Sequence, residues 1–389
     1  MIEKLTNLLL QTCGLIAVCA DNVLAADFSI LSSTMNKTFE EAGKIRQVEL
    51  RMPYIKMSDA DVAQPINDQL YIYTLGYYAP DNYVPGLTNE GDHIAFIRDL
   101  SHELVYQNER RLAIKVTSLF CRSTCLQYDE YFNFDLRNGH KIDLHEVLQP
   151  ETSKMMERVV IAELRKRYRK QIDLLQDGIR KLKSGQYRGD RKLKYLQDSL
   201  RVNKDCLASI KAKLSPMEFF NQYALTSRFF DDRVEFTNRW CTSPDERYLD
   251  KVATTDFTFS YTSLRPWMTA YGRTILLNEG DATGTDWRGQ ILYGSMGKES
   301  VKMRADETNK SGLIHYSGNV DIYGDLHQSY FFMGAWIDNG QFKLISLPGS
   351  KRIAINLRQK GNTLSGEYIE LDEDNQVTNN VQQIKLRIP

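Results

Sequence analysis

Apolar and polar residues alternate between Lys44 and Lys56, with Val48, Leu50 and Met52 on one side, the period of a half-buried strand. The period changes at Asp59. Val62, Ile66 and Leu70 recur at i, i+4 and i+8 up to Tyr71, predicting a helix with Pro65 near its start, where a missing N–H costs least. Two strands follow, Glu103–Gln107 and Arg111–Phe120, around the polar turn Asn108-Glu109-Arg110. A third, Tyr128–Leu136, ends at Arg137-Asn138-Gly139-His140, where Asn-Gly favours a hairpin turn, and the chain should return through Lys141-Ile142-Asp143-Leu144.

From Ser153 to Lys213 the period is helical. Leu164, Tyr168, Ile172 and Leu175 form one stripe, and Leu193, Leu196 and Leu200 form a second beyond the break Ser184-Gly185-Gln186-Tyr187-Arg188-Gly189. This predicts a helical hairpin, with its second helix running Leu193–Leu214 and Pro216 as its stop. Strands are expected again at Gln222–Thr226, Arg233–Asn238 and Thr255–Tyr261. The polar stretch Asn278–Asp286 reads as a linker. Beyond it come nine short strand candidates: Gly289–Tyr293, Ser300–Arg304, Gly312–Tyr316, Val320–Tyr323, Tyr330–Ile337, Phe342–Leu347, Ile353–Arg358, Leu364–Leu371 and Val381–Ile388. Strands this short and this regular predict an all-β meander, a small barrel or sandwich. The expected fold class is α+β, divided into 27–277 with the hairpin at about 153–214, the linker 278–286, and an all-β unit over 287–389.

The first residues carry a different signal. Lys4, an apolar run from Leu8 to Ala20 and the small-residue close Val23-Leu24-Ala25-Ala26 form a secretory signal peptide over residues 1–26, cleaved after Ala25 or Ala26. The residues before Cys13 and Cys19 are not those of a lipid-modified cysteine. Export leaves Cys121, Cys125, Cys206 and Cys241, an even set that suggests disulfides. Three pairings are open; Cys121–Cys125 with Cys206–Cys241 is the first choice, because the Arg122-Ser123-Thr124 spacer keeps the first two close. The expected location is the periplasm or outside the cell.

Catalytic motifs fail on inspection. In Gly294-Ser295-Met296-Gly297-Lys298-Glu299-Ser300 the first phosphate-loop glycine is missing and Glu299 stands where a hydroxyl should hold Mg²⁺, so a β-turn is expected. There is no G-x-S-x-G elbow, and His102-Glu103 lacks the second histidine of a zincin. His140, Asp143 and His145 do not have metal-motif spacing, and Asp231-Asp232 and Asp372-Asp374 sit in polar turns. The chain is therefore expected to be no enzyme and to need no metal or cofactor. Lys+Arg and Asp+Glu balance at 50 each, which gives no reason to expect nucleic acid.

One region departs from that balance. Between Lys154 and Lys213 eighteen Lys+Arg face seven Asp+Glu. Arg165, Lys166, Arg169, Lys170, Arg180 and Lys181 become candidate binding residues on the solvent side of the hairpin, suited to an acidic partner or an anionic envelope polymer. Trp287 and Trp336 are candidates for a carbohydrate platform, provided they are exposed beside polar groups.

Three blocks resemble the DUF3298 family: Pro65-Ile66-Asn67 in the strand-then-helix opening, Phe132-Asn133-Phe134-Asp135-Leu136-x-x-Gly139-x-x-Ile142-x-Leu144, and Phe257-x-Phe259-x-Tyr261-x-x-Leu264-Arg265-Pro266. The resemblance spans roughly residues 45–275. It implies an α/β fold that is generally not catalytic, as in RsiV-like extracellular domains that receive lysozyme and in accessory domains of peptidoglycan deacetylases. Where that family has Gly-Gly-x-His ahead of the Phe-Asn-Phe-Asp block, this chain has Cys121 to Cys125 and Gln127, and no deacetylase or membrane-spanning segment is attached. The function expected is that of an exported protein that binds or inhibits a peptidoglycan-directed protein, a lysozyme or an effector hydrolase. The alternatives are a module that binds peptidoglycan directly and a hydrolase whose two carboxylates meet only in three dimensions.

Overall fold

The computed structural model describes residues 28–41, 43–87, 94–121, 125–184, 190–210, 215–238, 241–252, 255–287, 289–305, 315–323, 328–337, 341–346, 352–374 and 376–389. The segment read as a signal peptide lies outside the described residues. Among those described, no helix is long and apolar enough to cross a membrane.

The fold is α+β. Strands β1 (Phe28–Glu41) and β2 (Lys44–Met57) form an antiparallel ribbon, and helix α1 (Ala60–Leu75) follows directly. Asp59 caps α1 by accepting from the Asp61 N–H at 2.9 Å. Strands β3 (Ile97–Gln107), β4 (Arg111–Cys121) and β5 (Cys125–Asp135) make a second antiparallel sheet. Leu50, Met52, Ile66, Leu70, Ile114 and Phe132 close the first core between these pieces. After β5 the chain turns at Gly139, whose φ of +78° suits glycine and whose added Cβ would lie 2.5 Å from the Val62 carbonyl. The expected return strand is only an isolated bridge, Phe134 to Lys141, and α2 (Leu144–Val147) takes over.

The helical hairpin is α3 (Thr152–Lys183) and α4 (Asp190–Ser209). Met156, Val160, Leu164 and Tyr168 of α3 enter the second core with Phe219, Phe236 and Phe259. On α4 the fully buried face is Ser199, Val202, Asn203 and Cys206, while the Leu193, Leu196 and Leu200 stripe is only half-buried. Polar residues fit there because Ser199 Oγ and Asn203 Nδ2 both donate to the Leu249 carbonyl, at 3.2 and 3.1 Å. The strand expected at Gln222–Thr226 is wrong. Ser215 and Glu218 form a reciprocal capping box with Pro216 at the first position, so α5 (Pro216–Tyr223) starts where the hairpin was expected only to stop. A third sheet, β6 (Arg228–Phe229), β7 (Arg233–Thr237) and β8 (Asp256–Ser260), precedes α6 (Tyr261–Leu264) and α7 (Ala270–Leu277).

The C-terminal unit is a closed antiparallel barrel of eight strands. Its strands are β9 (Ile291–Met296), β10 (Glu299–Ala305), β11 (His315–Tyr323), β12 (Gln328–Ile337), β13 (Gln341–Ser346), β14 (Ile353–Lys360), β15 (Thr363–Leu371) and β16 (Val377–Arg387), and β16 returns to β9. Part of Gly312–Tyr316 and all of Val320–Tyr323 merge into the single strand β11, which reduces nine expected strands to eight. Gly294, Ser295 and Met296 lie in β9, and the turn is confined to Gly297-Lys298. Leu292, Met303, Ile355, Leu364, Tyr368 and Ile384 fill the barrel's buried core.

Buried polar contacts join the barrel to the rest. Gln290 Oε1 accepts from the Lys141 N–H at 3.0 Å, and Nε2 donates to the Lys141 carbonyl at 2.8 Å, so this side chain imitates a neighbouring strand. Asp68, fully buried on α1, accepts from Tyr293 Oη at 2.7 Å and pairs with Lys302 Nζ at 3.0 Å.

Candidate functional site

Helix α3 carries the charge anomaly, and its geometry sorts the six basic candidates. Lys166, Arg169, Lys170, Arg180 and Lys181 are exposed. Arg165 is half-buried, and its guanidinium donates to the Ile210 carbonyl of the neighbouring segment at 3.5 Å, so it serves the hairpin itself. Arg180 and Lys181 share Asp177 one turn back, at 3.4 and 2.7 Å. Glu163 is held by Arg167 at 2.7 Å, with Lys166 farther off at 3.7 Å, and these cations lower the Glu163 carboxyl below its usual range. Among the described residues, no carboxylate approaches Arg169 or Lys170 within ion-pair distance. Helical spacing places Lys166, Arg169 and Lys170 on the face opposite Leu164, Tyr168 and Leu175.

Beside that face runs an open groove of about 570 Å³. One wall is α3, through Val159, Glu163, Lys166 and Arg167, and the other is β8, from Asp256 to Phe259. Arg167 spans the near end by donating to Thr255 Oγ1 at 3.3 Å. A second cleft, about 400 Å³ and mainly apolar, opens on the inner side of α3 between Val160, Leu164, Tyr168, Phe219 and Tyr223. The pair Cys206–Cys241 borders it, as a disulfide with Cα atoms 5.8 Å apart. Asp250, buried behind the pair, accepts from Tyr168 Oη at 3.0 Å, and burial with this nearby carboxylate pushes the Tyr168 phenol far up, so it stays a donor. Cys121 and Cys125 are joined at the open end of β4 and β5, where they face each other in register.

The remaining candidates are placed elsewhere. Trp287 is buried, 2% exposed, and cannot be a sugar platform; it belongs to the barrel's core cluster, with Leu292 and Leu386 among its members. Trp336 stands in β12 opposite Phe342, and its side chain lies outside the described part of the structure. His140, Asp143 and His145 do not converge. His140 Nε2 meets Glu146 at 2.8 Å, Lys141 holds Asp143 at 3.1 Å, and His145 Nε2 meets Asp286 at 2.8 Å. All these groups are buried or nearly so at the junction with the barrel. Asp231 accepts from Tyr106 Oη and Asp372 ties its own turn through the Asp374 and Gln376 N–H groups. The groove itself was not legible in the sequence: Thr255–Tyr261 reads as a strand, but only the sheet order makes it an edge lying along α3.

The motif blocks that carry the family resemblance are structural. Phe132 and Phe134 are core residues, and the Asn133 amide links β5 to the Ser227 carbonyl (2.7 Å) and the Phe229 N–H (3.2 Å). Asp135 binds Arg137 at 2.7 Å and accepts from Tyr271 Oη at 3.3 Å, while Tyr261 Oη donates to the Phe230 carbonyl at 2.8 Å.

No family model matches the chain, and no curated protein matches it. Among solved structures the chain is similar to a DUF3298 family protein from Bacteroides fragilis, at 10% identity, covering 64% of this chain and 96% of that one with a TM-score of 0.36. It is also similar to a DUF3298 family protein from Pseudomonas aeruginosa, at 13% identity, covering 62% of this chain and 94% of the other, with a TM-score of 0.31. Both are of the family that the three sequence blocks resemble.

Proposed function

We propose that this is an exported, non-catalytic binding protein that holds or inhibits a peptidoglycan-directed protein through the outer face of α3. The observation that carries the reading is the exposed row Lys166, Arg169 and Lys170 beside an open groove, in a chain whose net charge is zero. Such a row adds little through any one contact, but its summed field speeds encounter with an acidic partner. An acidic effector hydrolase fits this face better than a basic lysozyme, which it would repel. The paired cysteines support export, and the sequence blocks resembling DUF3298 support a place in the cell envelope. Two His–carboxylate pairs that a hydrolase could have used are shut inside the junction.

The test is capture from envelope extract with the immobilised protein, followed by association kinetics at several salt concentrations. The variant is Lys166→Glu/Arg169→Glu/Lys170→Glu, which leaves Arg165 in its structural contact. The expected result is capture of an acidic muramidase or amidase, slower association of the variant by about tenfold or more at low salt, and loss of most of the salt dependence. Failure of the wild-type protein to capture any peptidoglycan-directed protein would overturn the reading.

A further inference from the structure

We propose that the free edge of β8 takes an extended, acidic segment of the partner as an added strand, seated in the groove between β8 and α3; this rests on the binding role proposed above. The backbone geometry supplies the first argument. Tyr261 N–H donates to the Asp232 carbonyl at 2.8 Å and Asn238 N–H donates to the Thr255 carbonyl at 3.0 Å. These bonds flank the antiparallel register that runs from Arg233↔Ser260 to Thr237↔Asp256. Their parity makes Phe257 and Phe259 the residues that exchange hydrogen bonds with β7. The N–H and C=O groups of Asp256, Thr258 and Ser260 therefore point the other way. Ser260 is partly used, since its carbonyl accepts from Ser263 Oγ at 2.7 Å. Asp256 and Thr258 are left facing the groove, and among the described residues no strand lies on that edge. An edge of this kind is a template for pairing.

The space and the charge say what would pair. The groove flanks β8 over Asp256–Phe259, and its volume of about 570 Å³ leaves room for a short extended stretch at the usual strand spacing of roughly 4.8 Å. Its acidic side chains are already neutralised: Asp256 by Arg228 at 2.8 Å, and Glu163 by Arg167 at 2.7 Å. Lys166 remains 79% exposed on the facing wall, with Lys170 one turn further along the same side of α3. An incoming strand would set its own backbone against Thr258 and its carboxylates against these two lysines. Val159, exposed on the same wall, offers an apolar contact for the intervening side chains.

The experiment uses the full exported chain and a fluorescein-labelled octapeptide of alternating Glu and Val, with a Lys–Val peptide as the counterpart. Saturable binding of the Glu–Val peptide is expected, with binding at least tenfold weaker for the Lys–Val peptide and for the Lys166→Glu/Lys170→Glu protein. Thr258→Pro removes an N–H that β7 does not use and should weaken binding by a similar factor while leaving the urea midpoint nearly unchanged. If that variant misfolds, amide exchange on the wild-type protein answers the same question. The Thr258 N–H should exchange at least tenfold more slowly with saturating Glu–Val peptide, while Phe257 and Phe259, already bonded to β7, change little. No saturable binding, equal binding by a folded Thr258→Pro protein, or unaltered Thr258 exchange would overturn the proposal. A captured partner that is sensitive to charge reversal on α3 but indifferent to Thr258→Pro would overturn strand addition and leave the α3 reading standing.

Discussion

The side-chain amide of Asn67 grips both backbone groups of Ile55: Oδ1 accepts from the N–H at 2.6 Å and Nδ2 donates to the carbonyl at 2.8 Å. Both residues are fully buried, so water cannot easily replace either bond. Helix α1 is thereby pinned to β2 as if its side chain were a neighbouring strand. Asn67→Ala should leave a donor and an acceptor unpaired in the core and cost about 2–4 kcal/mol, read as a lowered urea midpoint. A loss below about 1 kcal/mol would show that the core, not the amide, holds the helix on the ribbon.

The same device recurs at Asn133 and Gln290, and it shows where sequence reading stops. Asn67 and Asn133 fall inside the blocks that resemble DUF3298, so they are visible as a pattern. Their work is not visible, because the partner of Asn133 lies 94 residues away in sequence. The legible elements are those with a clean period: β2 to β5, α1, the two hairpin helices α3 and α4, β7, β8 and the barrel strands. Strand β1 is not among them, since Phe28–Glu41 places Ser, Thr, Asn, Lys and Glu on both sides of a two-stranded ribbon and never alternates cleanly. Gln222–Thr226 is helical and not a strand because a capping box and Pro216 outweigh the β-prone Phe219, Phe220 and Tyr223. The basic face of α3 was legible as a charge excess, but Arg165 could be told from Arg169 only by the segment it touches.

Closing the 35-residue separation between Cys206 and Cys241 should restrict the unfolded chain far more than closing the four-residue separation between Cys121 and Cys125. Loop-entropy reasoning gives about 3–4 kcal/mol for the long loop and about 2 kcal/mol for the short one. Cys206→Ala/Cys241→Ala should therefore lower the unfolding midpoint more than Cys121→Ala/Cys125→Ala. Mass spectrometry of the protein recovered from its native cells should find no free thiol among the four; four free thiols would remove both the pairing and the argument for export.

His140 gives the junction with the barrel a pH dependence. Burial alone would depress this imidazole, but the Glu146 charge and hydrogen bond, the Asp135 charge and the Pro389 carbonyl together hold it above the ordinary 6.5. A raised folded-state pKa stabilises the protein fully below 6.5, and that contribution is lost as pH rises through the folded value. Thermal midpoints should accordingly fall from mildly acid toward alkaline pH. His140→Gln should flatten the profile over that window, and an unchanged slope in the variant would assign the dependence to another group.

Asp68 and Lys302 tie α1 to β10 with the opposite risk. Burial raises the Asp68 carboxyl above its ordinary 3.8, and Lys302, Tyr293 and Gln64 pull it only part of the way back. Asp68 is sealed while Lys302 keeps 24% of its side chain exposed, so the lysine can be lost with less direct penalty than the carboxylate suffers when left alone. Lys302→Met should cost about 3 kcal/mol at neutral pH by leaving a buried charge without its cation. Because the folded-state pKa then rises further, the loss should be smallest below 3.8, where the carboxyl is protonated folded or unfolded, and should grow as pH climbs through the folded value. Asp68→Asn/Lys302→Met removes both charges; the amide oxygen can stay on the Ala79 N–H while Nδ2 donates to Tyr293 Oη, so the double variant should recover more than half of the neutral-pH loss and respond little to pH. Equal instability of the single and double variants across that range would mean that Lys302 contributes through packing on Tyr78 and Tyr293, whose rings lie 5.5 and 5.9 Å from its ammonium, and not through the carboxylate.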